Sequence, residues 1–412
     1  MVRLLKIALR NLLRYKRRTL LTTALITLGV VFVLVFTSVT GSFKSLMIAQ
    51  NTDSMLGHLQ VHRRGYVASI DNLPLNLNLG PSAMKRLEEI FAAQPEIAAW
   101  SPRIKFGALF STFVETTNIR LNGVDPEREM AVVPLLPARI LEGDARLAPG
   151  EIWIPELLAR GMKVAVGDTV VIVATNQDGS VNGRQFRVAA VLESVSGPGG
   201  RDGYLHIEDA AEVLRMETRE ISEVAIRLRD FSRLEALNRQ LTERLDALLT
   251  PQGRPLFEVH TWEKLSPFYN IARMIEVMTF FMKLMLIAIV LVSIMNVMIM
   301  AVYERIREIG TMAAIGTRPG KILALFVLEG LSLGIFGALL GNLVGVLMIS
   351  LLNAAHITYD FGRQKDLLLQ VGVHPPDMLV VSGIVVLVSV IASLQPAVKA
   401  SRMEPIKALR HV

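Results

Sequence analysis

Four long apolar stretches divide the chain, and each carries almost no ionisable side chains. They occupy positions 19–43, 284–303, 322–355 and 378–398, and only the third contains an acid, Glu329, near its start. A helix needs roughly 20 residues to cross the roughly 30 Å hydrocarbon core of a bilayer, and each stretch has them. A soluble fold would instead have to bury four helices that are apolar on every side. The pattern therefore predicts four transmembrane helices.

Basic residues beside these stretches indicate the orientation. They cluster before the first stretch, between the second and third, and after the fourth: Arg3, Lys6, Arg10, Arg14, Lys16, Arg17, Arg18, Arg305, Arg307, Arg318, Lys321, Lys399, Arg402, Lys407 and Arg410. The connection between the third and fourth stretches has more acids than bases. By the positive-inside rule, both termini and the loop 304–321 are expected in the cytoplasm, and 44–276 outside it.

The segment 1–18 has a pattern of its own. Five basic residues, at positions 3, 6, 10, 14 and 17, share one helical face, and the leucines lie elsewhere. This predicts an amphipathic helix at the cytoplasmic membrane surface, and a charge cluster that only sets topology is the alternative. The first span is too long for the apolar core of a cleaved signal peptide, so we expect a retained anchor.

The segment 44–276 is long enough for one or two hydrophobic cores. Alternating or β-rich runs occur at 58–62, 105–115, 118–123, 168–175, 185–193 and 223–229. Helical runs occur at 82–93, with Ser82 as the expected N-cap, and at 231–249. The middle, about 123–205, is almost entirely strand and turn. We therefore expect an α+β extracytoplasmic domain with a β-rich subdomain inserted in it.

Candidate catalytic and metal-binding chemistry in this domain is sparse. His58 and His62 lie on one face of an alternating run without an obvious carboxylate nearby, so a surface pair is favoured over a metal site. The chain has neither an H-E-x-x-H motif nor a G-x-S-x-G elbow. With no cysteine, disulfides, thiolate metal sites and cysteine nucleophiles are excluded. We expect no catalytic, metal or cofactor-binding residue in this chain.

A nucleotide-binding loop is also missing from the sequence. The nearest match, Gly316–Lys321 followed by Ile322, has its glycines one residue too close and lacks the Ser or Thr that would hold magnesium. If the protein performs directional work, the free energy for that work must therefore come from another chain.

Composition supports a membrane protein rather than a nucleic-acid-binding one. The 412 residues are 51% hydrophobic and only 20% charged, below the quarter that is usual in soluble proteins. The formal net charge is +7, but the bases that give this excess lie beside the apolar spans. No nucleic-acid partner is expected.

Two further features lie around the second and third spans. The loop from Glu304 to Gly316 starts with mixed charges and continues with small and apolar residues, which suits either a short helix that docks into a protein groove or a solvated turn. Glu329 is expected to reach the membrane surface or to pair with a loop arginine. Five glycines of the third span fall within a sector of about 80° and permit close helix packing, within the chain or across a dimer. They are Gly330, Gly334, Gly337, Gly341 and Gly345.

Three segments carry a family signature: 7–22 (IALRNLLRYKRRTLLT), 303–322 (YERIREIGTMAAIGTRPGKI) and 394–410 (LQPAVKASRMEPIKALR). They resemble the FtsX-like permeases of the MacB and lipoprotein-releasing (LolC/LolE) ABC transporter systems. The segments 57–66, 139–159 and 166–170 look similar to the MacB-like periplasmic core domain of the same superfamily. The resemblance extends over nearly the whole chain, in the same order.

The resemblance implies a type VII ABC transporter permease of the bacterial inner membrane. In such systems a permease dimer binds ATPase subunits through the loop after the second span and transmits motion to the periplasmic domain. The implied ATPase-coupling residues are Glu304, Arg305, Arg307, Glu308, Ile309 and Gly310. The implied partners are an ABC ATPase subunit, a second permease copy or paralogue, membrane lipids, and a periplasmic adaptor or lipoprotein.

The sequence features leave three candidate functions. The first is mechanotransmission for export or release of a lipoprotein, lipid or amphiphile. The second is an FtsX-like regulatory protein that activates a periplasmic cell-wall hydrolase. A membrane-anchored enzyme is the third, and the lack of clustered acids, bases and metal ligands disfavours it.

The expected organisation along the chain follows from these assignments. It is an amphipathic helix 1–18, a first span and stalk 19–43, a periplasmic domain 44–276 with its β-rich part at about 123–205, a second span 277–303, a coupling loop 304–321, a third span 322–355, a periplasmic loop 356–377, a fourth span 378–398 and a cytoplasmic tail 399–412. Residues 262–283 are expected to form the returning stalk.

This organisation predicts the sidedness of the chain. A membrane-impermeant thiol reagent applied from the periplasmic side should label a cysteine introduced at position 100 and leave one at position 310 unlabelled until the membrane is opened. The native chain has no cysteine, so each introduced thiol is unique. Equal labelling of both positions in intact cells would contradict the predicted topology.

Overall fold

The structure is a computed structural model, and it describes residues 2–194, 202–361, 364–368 and 370–404. The chain divides into two compact units. The first, here called the helical unit, contains residues 1–45, 273–359 and 366–412, and the second, the α/β unit, contains residues 46–272 and 360–365. The last residues of the expected tail, 405–412, lie outside the described part of the chain.

Twelve α-helices occur among the described residues. They are α1 (Val2–Arg14), α2 (Lys16–Asn51), α3 (Pro81–Ala92), α4 (Pro126–Val132), α5 (Glu156–Met162), α6 (Ile207–Val213), α7 (Leu234–Asp246), α8 (Trp262–Leu265), α9 (Tyr269–Glu304), α10 (Ile306–Ala314), α11 (Pro319–Ala354) and α12 (Pro375–Ser401). A single π-helical turn, Thr52–Leu56, follows α2 and ends at Gly57.

Twelve strands accompany them. They are β1 (Leu59–Arg63), β2 (Ile97–Ser111), β3 (Thr116–Val124), β4 (Ile140–Gly143), β5 (Glu151–Pro155), β6 (Thr169–Thr175), β7 (Val181–Leu192), β8 (Asp202–His206), β9 (Glu223–Leu228), β10 (Phe257–Thr261), β11 (Thr358–Phe361) and β12 (Gln364–Leu368).

Four helices are long and apolar enough to cross a membrane: α2, α9, α11 and α12. Together with a mixed α/β unit, they confirm the fold class predicted from the sequence. All four extend beyond the apolar stretches, and the longest extensions are in α2, which continues to Asn51, and in α9, which already begins at Tyr269. Lysine and glutamate are good helix formers, so Lys44 and Glu276 lie within these helices and pair with each other instead of ending them.

The α/β unit is built on a ten-stranded sheet. Its strand order is β10-β1-β9-β2-β3-β8-β5-β7-β4, and β6 pairs with both β2 and β7. The pairs β3–β8 and β5–β7 are parallel, and the other pairs are antiparallel. Strands of the β-rich middle segment thus pair with strands outside it, so this segment continues the main sheet.

Two helices of the middle segment, α4 and α5, were not expected from the sequence. Each has seven residues, too few to show a helical repeat. The start of α4 does carry a local signal, because the Asp125 side chain accepts hydrogen bonds from the amides of Glu127 and Arg128, and Pro126 takes the first helical position. The expected N-cap at Ser82 was wrong. Gly80 occupies the cap position of α3, and Ser82 lies inside the first turn.

The core of the α/β unit lies where helices cover the sheet. In α7, Leu237, Leu241 and Leu245 recur every four residues and are all buried, which places them on one helical face. The sheet contributes large buried rings, among them Phe106 and Phe257. Burial of apolar side chains of this size contributes about 1.5–3 kcal/mol each to folding.

The helical unit packs around the glycine face of α11. All five glycines are buried. A Cβ added to Gly330 would lie 2.5 Å from Cβ of Ser393 on α12, and one added to Gly341 would lie 2.5 Å from Cβ of Val30 on α2. The other three face Ser389, Ile26 and Leu34 in the same way. The small residues thus bring α11 close to two other helices of the same chain.

This contact predicts that a single methyl group at the seam destabilises the helical unit. Gly341→Ala should lower stability by about 1–3 kcal/mol, because the new Cβ overlaps Val30 and packed helices must separate. Thermal unfolding of the full chain in detergent, followed by far-UV circular dichroism, measures the change. Gly383→Ala is the matched control, since nothing lies within 4 Å of its added Cβ and alanine is the better helix former. Equal midpoints for the two variants would contradict tight packing at Gly341.

Candidate functional site

The connection between α9 and α11 folds into the short helix α10. Helix α9 ends at Glu304, and Arg305 leaves helical geometry with φ −111° and ψ 18°. Gly316 has a φ of +84°, which glycine adopts without strain, and it ends the turn after α10. Pro319 then opens α11 at a position that needs no amide donor. Of the two forms compatible with the sequence, the structure has the short helix.

Arg305 is the centre of a polar network at this connection. Its Nη1 donates to Oε1 of Glu329 at 2.9 Å, and its Nε donates to Oε2 of Glu308 at 3.0 Å. The guanidinium also lies 5.5 Å from the ring centroid of Phe326. The Arg305 and Glu329 side chains are only 5% and 2% exposed. The expectation that Glu329 pairs with a loop arginine is confirmed, and its partner is Arg305.

Helix α1 joins the same network from the other side. Asn11 Nδ2 donates to Oε1 of Glu329 at 2.7 Å. Arg14 donates to Glu308 at 3.2 Å, and Arg18, at the start of α2, donates to Glu304 at 2.8 Å. The last two pairs are partly exposed, so each contributes little to stability. Helix α1 is thus attached to α11 by the Asn11–Glu329 contact and to α10 by the Arg14–Glu308 pair, and the Arg18–Glu304 pair joins the start of α2 to the end of α9.

The six residues predicted to couple to an ATPase divide into two groups. Glu304, Arg307 and Glu308 are exposed. Arg305, Ile309 and Gly310 are buried within the helical unit. The buried residues hold α10 in place. The exposed residues present charges at the end of α9 and on α10. The five glycines lie apart from this cluster, along the seam of α11 with α2 and α12.

Sequence analysis missed two members of the network, Asn11 and Phe326. Asn11 lies in a segment whose pattern is dominated by arginines, and Phe326 looks like any other apolar residue of a span. One signal was available for Asn11, since an amide between basic residues and leucines marks the boundary between the two faces of the helix. For Phe326 the sequence has no signal, because its contact with Arg305 depends on a turn between helices.

The expectation for His58 and His62 was wrong. Both histidines are buried in the α/β unit, 5% and 0% exposed, and each has a carboxylate beside it. Nε2 of His58 lies 3.3 Å from Oδ1 of Asp53, and Nε2 of His62 lies 3.6 Å from Oε2 of Glu223. The Tyr66 ring stacks on His62 with the ring centroids 5.1 Å apart, and Glu223 lies directly opposite His62 on the neighbouring strand β9. Within the described residues, no group of three or more His, Cys, Asp or Glu side chains could hold a metal ion.

Glu223 belongs to a buried ionic network. Nη1 of Arg103 lies 2.9 Å from Oε1 of Glu223, and Nη2 of Arg103 lies 2.7 Å from Oε1 of Glu129. Lys105 Nζ is 3.4 Å from the other Glu223 oxygen. Burial alone would raise the pKa of Glu223, but Lys105, His62 and Arg103 together hold that pKa well below its usual range. The carboxylate is therefore ionised in the folded protein at neutral pH.

A cavity of about 150 Å³ lies beside this network. Its polar wall comes from β1, β2, β3 and β8: Gln60, Arg103, Lys105, Arg120, Asn122, Asp202 and Tyr204. The segments 51–56 and 265–268, which follow α2 and precede α9, complete the lining. Burial raises the pKa of Asp202 despite the nearby Lys105 and Arg120. The lining carries three bases, Arg103, Lys105 and Arg120, and two acids, Asp71 and Asp202, so the cavity is polar with an excess of basic groups.

Four membrane-length helices, an α/β unit between the first and second of them, and a charged helical connection between the second and third together define a multi-pass membrane protein of the permease class. The chain belongs to the FtsX-like permeases with a MacB-like periplasmic core domain, because the model of that core domain matches residues 19–244 and the FtsX-like permease C-terminal model matches residues 280–405. It is an ABC transporter permease of the LolC/LolE/MacB type.

Individual relatives agree with this assignment. The chain is 24% identical over 422 residues to the lipoprotein-releasing system transmembrane protein LolC of Neisseria meningitidis, with 95% of this chain and 94% of that protein covered. It is 24% identical to LolE of Haemophilus influenzae, with 79% and 80% covered. Among solved structures, the periplasmic region of MacB from Actinobacillus actinomycetemcomitans matches 52% of this chain and 94% of its own length, at 14% identity and a TM-score of 0.36.

The buried network of the α/β unit predicts a large effect of removing its arginine. Arg103→Met should lower the free energy of unfolding by about 3–5 kcal/mol, because Glu129 and Glu223 would be left as buried charges without a base between them. All three tryptophans, Trp100, Trp153 and Trp262, lie in this unit, so tryptophan fluorescence during urea unfolding of the full chain reports on it.

The same network predicts an acid dependence. The folded-state pKa of Glu223 is depressed, so its stabilisation is complete above the unfolded value of about 4.3 and is lost as the pH falls through the folded value. In Arg103→Met this loss should begin at higher pH. Arg64→Met is the control, because Arg64 and Asp246 form an exposed pair worth about 0–1 kcal/mol. Similar losses in the two variants would show that the Arg103 network does not stabilise the unit.

Proposed function

We propose that this chain is the permease subunit of an ABC transporter in which a separate ATPase subunit supplies the energy. Movement of that subunit is transmitted through the helical unit to the α/β unit, and the substrate need not pass through the membrane. ATP and magnesium bind to the partner chain. The observation that carries the proposal is the anchoring of α10 by Arg305, which leaves Glu304, Arg307 and Glu308 exposed on a fixed support.

The geometry of α10 suits a docking element. A partner can change a conformational equilibrium only if it contacts the two states differently, and a rigidly held helix presents such a contact. Arg305 and Ile309 face inward, so force on the exposed charges is delivered to α9 and α11 rather than lost in a flexible loop. Charged residues at the rim of an interface also set its specificity and rate of association.

Continuous helices provide the path away from α10. Helix α9 covers Tyr269–Glu304 and α2 covers Lys16–Asn51, and each has residues in both units. Both contain more residues than a bilayer requires. A helix of this length is a stiff element, so a displacement at one end reaches the other. With the positive-inside rule, α1 and α10 are assigned to the cytoplasm and residues 44–276 to the periplasm.

Transport is favoured over hydrolase regulation by the relatives. LolC and LolE are named as transmembrane proteins of lipoprotein-releasing systems, and the LolC match extends over nearly all of both chains. The cargo proposed for this chain is therefore a lipoprotein, lipid or related amphiphile. A second permease copy or a paralogue completes the assembly, since one chain has four spanning helices and a single α10 in its described residues.

The charges of α10 supply the test. Glu304→Lys combined with Glu308→Lys should weaken binding of the ATPase subunit roughly tenfold or more, because reversed rim charges repel their former partners. Co-purification with a co-expressed ABC ATPase subunit, and the ATP hydrolysis rate of that subunit in the complex, are the measurements. Amounts of chain in the membrane should not change.

Two controls complete this experiment. Lys321→Glu reverses an exposed charge just inside α11, outside the docking element, and should leave binding intact. Arg307→Glu reverses an exposed charge on α10 without altering a carboxylate that holds Arg305, and it should weaken binding as the double variant does. Normal ATPase binding and normal transport by Arg307→Glu and by the double variant would exclude α10 as the coupling element.

A further inference from the structure

Glu329 is a shared acceptor for two parts of the chain that are far apart in sequence. Its Oε1 accepts one hydrogen bond from Asn11 Nδ2 at 2.7 Å and another from Arg305 Nη1 at 2.9 Å. Asn11 belongs to α1, whereas Arg305 immediately precedes α10. One buried carboxylate oxygen on α11 therefore holds the amphipathic helix and the α9–α11 connection at the same point.

A second bridge runs parallel to the first. Glu308 accepts from Arg14 of α1 through Oε1, at 3.2 Å, and from Arg305 through Oε2, at 3.0 Å. The Arg14 and Glu308 side chains are 68% and 44% exposed, so this bridge is weak and screened by salt. The buried bridge through Glu329 is the stronger one, because a carboxylate without donors in an apolar environment costs several kcal/mol.

Helix α1 is also tied to the first span. The amide of Tyr15 donates to the carbonyl of Asn11, and Thr19 Oγ1 donates to the carbonyl of Leu12 at 2.8 Å. The side chains of Ala8 and Leu12 are buried in the helical unit. Helix α1 therefore has packed and hydrogen-bonded contacts on the side opposite to its basic face, so its interactions are not limited to the membrane surface.

We infer that α1 also takes part in the coupling to the ATPase subunit. It moves together with α10, because Asn11, Glu329 and Arg305 join the two helices. When the ATPase subunit displaces α10, Arg305 carries Glu329 with it, and the bond to Asn11 transfers the movement to α1 and from there to α2. The first and second spans then respond together to one docking event. Asn11 and Glu329 are positioning residues in this coupling. The inference rests on the proposed function, since it assumes that α10 receives the movement.

A different role for α1 would leave another signature. If α1 only binds anionic lipid through its exposed arginines, its environment depends on the bilayer and not on the nucleotide state of a partner. The two roles are separated by asking whether α1 responds to ATP and whether that response passes through Asn11.

Spin labels on single introduced cysteines measure these responses. Leu13→Cys places a label on α1 and Ile315→Cys places one at the end of α10, at side chains that are 68% and 77% exposed and outside the network. The native chain contributes no competing thiol. Each labelled chain is purified with its ATPase subunit in lipid nanodiscs. Spectra are recorded without nucleotide and with ATP plus vanadate.

In the otherwise native chain, both labels should change mobility on addition of ATP and vanadate. In Asn11→Ala, we expect the change at position 13 to fall by about fivefold or more while the change at 315 and the co-elution of the ATPase stay as before, because the Arg305–Glu329 pair is intact. Asn11→Leu, which keeps the number and branching of the side-chain heavy atoms but removes the donor, should behave in the same way and guards against the cavity that alanine leaves. Arg10→Ala, at an exposed position one residue earlier, is the matched control and should keep both responses.

The outcomes separate this inference from the proposed function. If the label at 315 responds in the native chain and the label at 13 does not, the inference is overturned and the proposed function stands. An undiminished response at 13 in both Asn11 variants also overturns it, because the movement would then reach α1 by another route. If neither label responds in a complex that hydrolyses ATP, both the proposed function and the inference fail.

Discussion

The need to neutralise a buried carboxylate organises the end of the helical unit that holds α1 and α10. Glu329 lies in an apolar helix and is almost wholly buried, where an unpaired charge would be too costly to keep. Arg305 neutralises the Glu329 carboxylate through a hydrogen-bonded ion pair. To place the Arg305 side chain against Glu329, the chain leaves helical geometry at Arg305, immediately after α9 ends at Glu304. The short helix α10 and its exposed charges are therefore consequences of this one ion pair, as is the hydrogen bond that holds α1.

Close packing extends this arrangement along the rest of α11. The same helix that carries Glu329 carries five buried glycines, which let α2 and α12 approach its backbone. The glycines have no side chains that could change rotamer, and the side chains of α2 and α12 that contact them are closely packed, so little space exists for repacking. Helix α11 thus connects the polar cluster to two of the other spans, which is the property that a transmitting element needs.

The α/β unit uses the same chemistry for a different purpose. Arg103, Glu129 and Glu223 are buried together, and His62 and Lys105 complete the environment of Glu223. Such a network tolerates few alternatives, because any shift that separates one member leaves a buried charge unpaired. It fixes the centre of a wide sheet to which segments from both ends of the unit are joined.

Much of the fold was determined by the sequence alone. Apolar length specified the four spans, alternation specified six of the twelve described strands, and the single-face register of the glycines in α11 predicted that this face packs closely. The position of one acid, Glu329, in an apolar span left two expectations, that it reaches the membrane surface or that it pairs with a loop arginine, and the second is confirmed. These features are local or periodic, so they can be recognised without knowing which segments meet.

Only the tertiary structure decided which partners the polar residues have. His58 and His62 have the alternation of a surface strand, but the folded unit buries both and places Asp53 and Glu223 beside them. Asn11 meets Glu329 across more than three hundred residues, and no pattern near either one indicates the other. Pairing of this kind depends on sheet order and on the path of the chain between helices, which are set by packing of the whole molecule and are not encoded in any short segment.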